Sequence, residues 1–282
     1  MKSILVPTDF SEQAENALDF AAQIATNNGA KVLLLHVLEH PSESAFNSMG
    51  IVATDTDPMD NIYLIKMMEA AKAKMDGIVS DDAFTKISLE YQILVGRPFE
   101  QITKTLVEYD CDLVVMGTAG SSGFEEMLVG SNTERVVRRA HCPVISIKDK
   151  ANFGAIKNIA FASDFADKYD DLVVGLKELQ KLFDARLSLV RINTPNSFTT
   201  TRHDLSLIKK FAEEHELENY TMDIYNDTVE DVGIIYYAED AGAALIALGT
   251  HKRKGITNLL SGSIAEDVVN HSKRPVWTFK LK

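Results

Sequence analysis

The chain has 282 residues, 45% hydrophobic and 25% charged, with 41 acidic against 29 basic side chains and a formal charge of −12. That length accommodates two domains of ordinary size. The charge argues against general nucleic-acid binding, which needs clustered Lys and Arg to hold phosphate. The acidity is uneven: residues 1–150 carry 22 acids and 13 bases, residues 151–282 carry 19 and 16. Two cysteines, Cys111 and Cys142, show no metal-ligand spacing and predict buried thiols in a reducing compartment. No apolar run approaches the ~18–20 residues of a membrane helix, and Pro7 and Asp9 interrupt the N-terminus before it could form a signal core. The expectation is a soluble, cytoplasmic protein with no nucleic-acid and no membrane partner.

In chain order, "ILVPTDF" is a short apolar strand ending in Asp9-Phe10. Ala17, Phe20, Ala21 and Ile24 then fall at the i, i+3, i+4, i+7 spacing of one helix face. "AKVLLLHVLE" is a second strand, and Glu39–Asp60, polar and containing Pro and Gly, reads as a long loop. Strands are predicted near 3–8, 31–38, 87–95, 112–117 and 143–147, with helices between them. After a polar linker at 148–157 the pattern starts again, with strands near 157–162, 186–192, 220–226, 244–249 and 275–279. The second half repeats the first: Asp9 falls on Asp164, Phe10 on Phe165, Val37 on Ile192, Gly117 on Gly249, and Gly130-Ser131 on Gly262-Ser263. The offset is 155 at the start of the repeat and 132 at its end. The second copy therefore lacks 23 residues between Val37 and Gly117, and the loop 39–60 is the obvious place for them. "LVVMG" and "LIALG" are continuous apolar runs, as in parallel strands covered on both faces. Regular βα alternation predicts doubly wound α/β domains with right-handed crossovers, one at 1–150 and one at 151–282.

The stretch "MGTAGSSGFEEMLVGSNTERVV" places Gly117, Gly120, Gly123 and Gly130 between a strand and a helix. In open parallel sheets, ligands sit beyond the carboxyl ends of the strands, where Asp9, Val37 and Gly117 all fall. Glycine there lets backbone N–H groups approach a bulky anion. Ser131-Asn-Thr-Glu134 is a capping box at a helix start, a ready phosphate site. Tight turns and ordinary helix punctuation account for the same residues, and both readings stay open on the residues alone. No Walker loop occurs, nor GxGxxG after the first strand, so neither a standard P-loop NTPase nor a classical NAD enzyme is expected.

Gly117-x2-Gly120-x9-Gly130-Ser131 after an apolar strand resembles the nucleotide-binding motif of the universal stress protein family. "ILVPTDFS", "LLHV" and "AHCPVISIK" are similar to that family's first, second and last strands. The resemblance covers nearly the whole chain twice and so implies a tandem universal stress protein. It implies two Rossmann-like (adenine nucleotide alpha hydrolase-like) domains, each a five-stranded parallel sheet with helices on both faces. Some family members bind ATP and others lack the motif. Carried over by position, Asp9 would meet the adenine edge or ribose, beside Pro7 and Thr8. Val37 would touch the base, and Met116 and Gly117 would line the nucleoside. Ala119, Gly120, Gly130, Ser131 and Asn132 would surround the phosphates, with Mg²⁺ expected only alongside nucleotide. Ala119 stands where many nucleotide-binding members have His, and Glu125 and Glu126 add negative charge nearby. In the second copy Asp164, Ile192, Gly249, His251, Lys252, Gly262 and Ser263 are the matching candidates, with Lys252 in place of the motif's second glycine. No activated base, nucleophile or metal-ligand set is visible, so regulation through an adenine nucleotide is expected rather than catalysis, with at most weak ATP hydrolysis. An interaction scaffold, or a binder of another small anion, is the alternative. The family commonly pairs its last strands across a dimer; here "VISI" and "VWTF" are expected to pair within one chain as an intramolecular pseudo-dimer. A homodimer of such units and an unknown protein partner stay open.

Overall fold

The computed structural model describes residues 1–39, 58–118, 131–166, 170–250 and 263–281; side chains at 58–61, 131 and 263 lie outside that description. The first copy comprises β1 (Ser3–Thr8), α1 (Glu12–Asn28), β2 (Lys31–Leu38), α2 (Pro58–Val79), β3 (Ser88–Val95), α3 (Pro98–Glu108), β4 (Leu113–Gly117), α4 (Ser131–Arg139) and β5 (Val144–Ile147). The second comprises β6 (Asn158–Ala162), α5 (Asp170–Phe183), β7 (Arg186–Asn193), α6 (Thr201–Glu214), β8 (Tyr220–Asn226), α7 (Glu230–Asp240), β9 (Leu245–Thr250), α8 (Ser263–His271) and β10 (Val276–Lys280). Each expected strand is present, with ends shifted by at most one residue.

Local chemistry accounts for the helices. Ser11 caps α1 by accepting the Ala14 N–H at 3.3 Å, Glu12 and Glu15 sit in its first turn, and Gly29 closes it in the left-handed conformation at φ 74°. The predicted face of α1 is buried, with Ala17, Phe20, Ala21 and Ile24 all at 0% exposure. On α5, Leu172, Leu176 and Leu179 are buried likewise. Gly175 lets the helix settle on the last strand: a Cβ there would lie 3.2 Å from Trp277 Cζ2.

The ten strands form one sheet in the order β3-β2-β1-β4-β5-β10-β9-β6-β7-β8. Every pairing is parallel except that of the last strands, where Trp277 of β10 lies opposite Ile145 of β5 in an antiparallel ladder. The apolar core is arranged in three clusters. One runs continuously through both copies and includes Phe20, Ile145, Phe183 and Trp277. The other two stay within single copies. Phe20 and Phe183 stack across the boundary with centroids 6.2 Å apart, and Phe153 of the connecting segment packs on Phe183 at 4.8 Å.

The polar linker is held on both sides. Gln23 of α1 donates to the Ala151 carbonyl at 3.2 Å and accepts the Phe153 N–H at 2.8 Å, fixing the linker to the first copy while Phe153 buries against the second. One expectation is revised: the 23-residue difference lies between β2 and β3 but not all in the loop 39–60, because α2 has 22 residues against 14 in α6 and the turn after it 8 against 5. Residues 40–57 of that expected loop lie outside the described residues. Both cysteines are buried and free. Burial raises the Cys111 pKa and pushes the Cys142 thiol up to about 12, so neither is a reactive thiolate at neutral pH.

Candidate functional site

β1 lies between β2 and β4, and β6 between β7 and β9, so each copy has the reversal of strand order at which open α/β sheets bind ligands. The same turn is built at both reversals. Phe10 and Phe165 adopt positive φ, 64° and 55°, a conformation that costs a non-glycine residue on the order of 1–3 kcal/mol. Hydrogen bonds hold it: the Phe10 N–H donates to Thr8 Oγ1 at 3.0 Å, and the Phe165 N–H to Ser163 Oγ at 3.1 Å. Asp9 Oδ1 accepts the Ser11 N–H at 3.0 Å and its hydroxyl at 2.5 Å; Asp164 Oδ1 accepts the Ala166 N–H at 3.2 Å. One carboxylate oxygen of each Asp thus shapes the turn.

The neighbouring strand ties down each turn in its own way. In the first copy His36 Nδ1 lies 2.8 Å from the Thr8 carbonyl oxygen, its ring packs on Phe10 with centroids 4.4 Å apart, and Lys74 Nζ sits 4.7 Å from the Phe10 ring centre. Burial lowers the His36 pKa, an effect that Lys74 reinforces and the Thr8 hydrogen bond and Asp9 oppose. In the second copy Arg191 occupies the position of His36. Its Nη1 donates to the Asp164 carbonyl at 2.7 Å, and its Nε lies 3.1 Å from Oδ1 of Asp204, which is 0% exposed. Thr199 donates to the same oxygen. Among the described residues neither Arg191 Nε nor Asp204 Oδ2 makes a hydrogen bond, so this is a charge contact at the bottom of the site.

At the end of β4, Gly117 takes close backbone approach: a Cβ there would lie 2.8 Å from the Gln13 backbone carbon of α1. Thr133 of α4 donates to the Gly117 carbonyl at 2.8 Å and so ties the helix start to the strand end. Pro7, Thr8, Asp9, Val37 and Met116 stand at or just beyond the carboxyl ends of the neighbouring strands β1, β2 and β4, Met116 being buried and the others partly buried. Asn132 is partly buried on α4. Ala119, Gly120 and Gly130 lie outside the described residues, as do Gly123, Glu125 and Glu126 and the side chain of Ser131, which opens α4. In the second copy Asp164, Ile192 and Gly249 come together, whereas His251, Lys252 and Gly262 and the Ser263 side chain are outside the description. Among the described residues no group of three or more His, Cys, Asp or Glu side chains could hold a metal ion, and no helix is long and apolar enough to cross a membrane.

The model of the universal stress protein family matches residues 1–148 and again 155–280. The chain belongs to the universal stress protein family. A universal stress protein of Methanocaldococcus jannaschii is 34% identical over 155 residues, which is 53% of this chain and 96% of that protein. One from Synechocystis is 23% identical over 291 residues, spanning 99% of this chain and all of that protein, so the tandem arrangement recurs at full length. Among solved structures, a universal stress protein from Archaeoglobus fulgidus covers 99% of this chain and 98% of its own with a TM-score of 0.74 at 20% identity, a likeness of fold.

Sequence reading missed the cavity side chains of the second copy. A cavity of about 280 Å³ opens at the ends of β6, β7 and β9, and Arg191, Ser197, Glu230 and Leu281 line it together with Asp164 and Gly249. The repeat offset carried a signal: it aligns Arg191 with His36, and Glu230 with Pro98, a change of chemistry in an otherwise matched frame.

Proposed function

We propose that the first copy binds an adenine nucleotide, ATP or a close relative, and that this universal stress protein acts in the cytoplasm as a nucleotide-responsive regulator with little or no catalysis. The observation that carries the reading is Gly117 at the strand-order reversal. It is packed so closely on α1 that no side chain fits, and Asp9 stands on the adjoining turn. In this reading Pro7, Thr8, Asp9, Val37, Met116 and Gly117 receive the nucleoside. Ala119, Gly120, Gly130, Ser131 and Asn132 present backbone N–H groups and a hydroxyl to the phosphates, and Mg²⁺ arrives with them. Val37 and Met116 supply the apolar contact a base needs, and among the described residues no positioned base or nucleophile stands beside them.

The decisive experiment is to heat-denature the purified protein, identify any released nucleotide, and titrate nucleotide-free protein with ATP, ADP and AMP. Binding at micromolar or weaker strength is expected, with Gly120→Val abolishing it by blocking backbone approach. Absence of both released nucleotide and binding heat would leave the chain an interaction scaffold. Residues 1–150 and 151–282, taken as the two domains, should differ, with the first binding ATP more tightly at both low and high salt. Steric access acts at contact, whereas an exposed loop charge contributes only about 0.3–1 kcal/mol and fades with salt.

A further inference from the structure

We propose that a cleft between the linker and the second copy is a binding site for a compact anion with two or more negative charges, a phosphate or a carboxylate. The cleft lies at the amino-terminal ends of β6, β9 and β10, where Ile156, Ala244 and Pro275 line it. That is the edge of the second copy's sheet opposite to the strand ends at which Asp164 and Gly249 stand. The proposal goes beyond nucleotide binding in the first copy and does not depend on it. The linker supplies one wall, with Lys150, and the turn from α8 into β10 the other, with Lys273 and Arg274. Ile156 and Pro275 are buried beneath them. The volume of about 580 Å³ is in the range of small-molecule sites.

The turn is built to present charge. Ser272, only 1% exposed, accepts the Arg274 N–H at 3.0 Å and donates to the Arg274 carbonyl at 3.1 Å. Arg274 Nε donates to the Ala243 carbonyl at 2.9 Å. That bond takes one of the guanidinium's five donors and fixes its plane, and the Nη groups carry the other four. The repeat aligns Ser272 with Ala140, Lys273 with His141 and Arg274 with the buried Cys142. The second copy thus has a hydroxyl that shapes the turn and a guanidinium on it, where the first has a methyl group and a thiol. Across the cleft, Lys150 Nζ lies 3.8 Å from Asp19 Oδ2, but both side chains are substantially exposed, and such a pair holds weakly enough for the ammonium to turn to a ligand. Three permanent cations therefore converge on one concavity, beside the single carboxylate of Glu239, in a chain of net charge −12. Concave walls focus the field of such a cluster, and a guanidinium fork flanked by ammonium groups matches the oxygens of phosphate and carboxylate.

The test uses the full-length protein with citrate and pyrophosphate as probes and acetate as the singly charged control. Binding is followed by calorimetry and by the methyl NMR signals of Ile156 and Ile235, which line the cleft. At least one of citrate and pyrophosphate is expected to bind and shift both methyl signals, and the tighter of the two tells a carboxylate ligand from a phosphate. Acetate should bind more weakly by about tenfold or more, because it meets the cations with one charge. Lys273→Glu should weaken the probe by about tenfold, and Glu239→Gln should tighten it by about threefold. Lys104→Glu reverses the same charge on α3 of the first copy, outside the cleft, and should leave the affinity unchanged. Circular dichroism confirms that each variant is folded. Binding of neither probe, methyl signals that do not move, acetate as tight as the better probe, an unchanged affinity in folded Lys273→Glu, or an equal loss in Lys104→Glu would each overturn the proposal.

Discussion

Two aligned glycines show how one residue type answers to different surroundings. Gly117 faces the backbone of α1, which cannot move without shifting the helix, whereas Gly249 faces the ends of two leucine side chains, which can rotate. Gly117→Ala is therefore expected to destabilise by about 1–3 kcal/mol, and Gly249→Ala by less. Thermal melts of the two single variants decide it, and an equal or larger loss at Gly249 would contradict the geometry. His36 gives a pH-dependent case. Burial lowers its pKa below the usual value of about 6.5, so the unfolded chain binds the proton more tightly than the folded one. Its contribution to stability is complete above about pH 6.5 and is lost as pH falls through the lowered folded-state value. Wild type should lose stability as pH falls below about 6.5, and His36→Gln should show a flatter profile there, measured by urea unfolding. A variant with the same slope as wild type would place the pH dependence elsewhere.

Among the elements, α4 and α8 carry an asymmetric contact between the copies. Arg138 of α4 forms a fork with Glu266 of α8, its Nη2 donating to Oε2 at 3.0 Å and its Nε to Oε1. The repeat puts Asn270 opposite Arg138 and Glu134 opposite Glu266, so the mirrored pair cannot form. The guanidinium is 52% exposed and the carboxylate only 13%. Screening keeps the direct attraction small, and the main cost of Arg138→Ala is that Glu266 loses its partner. A loss of about 1 kcal/mol is expected, recovered in part by Glu266→Gln in the same chain because the uncompensated charge is then gone. A double-mutant cycle by denaturant unfolding measures it, and zero coupling would show the fork to be dispensable.

Across the whole molecule, the antiparallel β5–β10 ladder and the core cluster that runs through both copies make the sheet a single body. Heating is expected to give one cooperative calorimetric transition; two separated transitions would mean that the junction opens first. Residues 1–150 expressed alone should expose the β5 edge and associate through it into a dimer, because an uncovered edge strand is a template for pairing. Light scattering that finds only monomer at high concentration would count against β5 as the determinant.

The sequence by itself determined the repeat, all ten strands to within a residue, and the helix faces around Phe20 and Leu176. Those features are local: periodicity, caps and strand-ending glycines act over a few neighbouring residues and are written in order along the chain. It also placed Asp9, Val37 and Gly117 at the carboxyl ends of neighbouring strands, because parallel topology sends every strand end to the same edge of the sheet. The tertiary structure alone decided that α2 and the turn after it are longer than their counterparts in the second copy, and how Gln23 holds the linker. It alone revealed the buried Arg191–Asp204 pair and Glu230 in the cavity of the second copy. These depend on contacts between elements far apart in the chain, where packing volume and the cost of burying an unpaired charge choose the partner, and no local pattern encodes that choice.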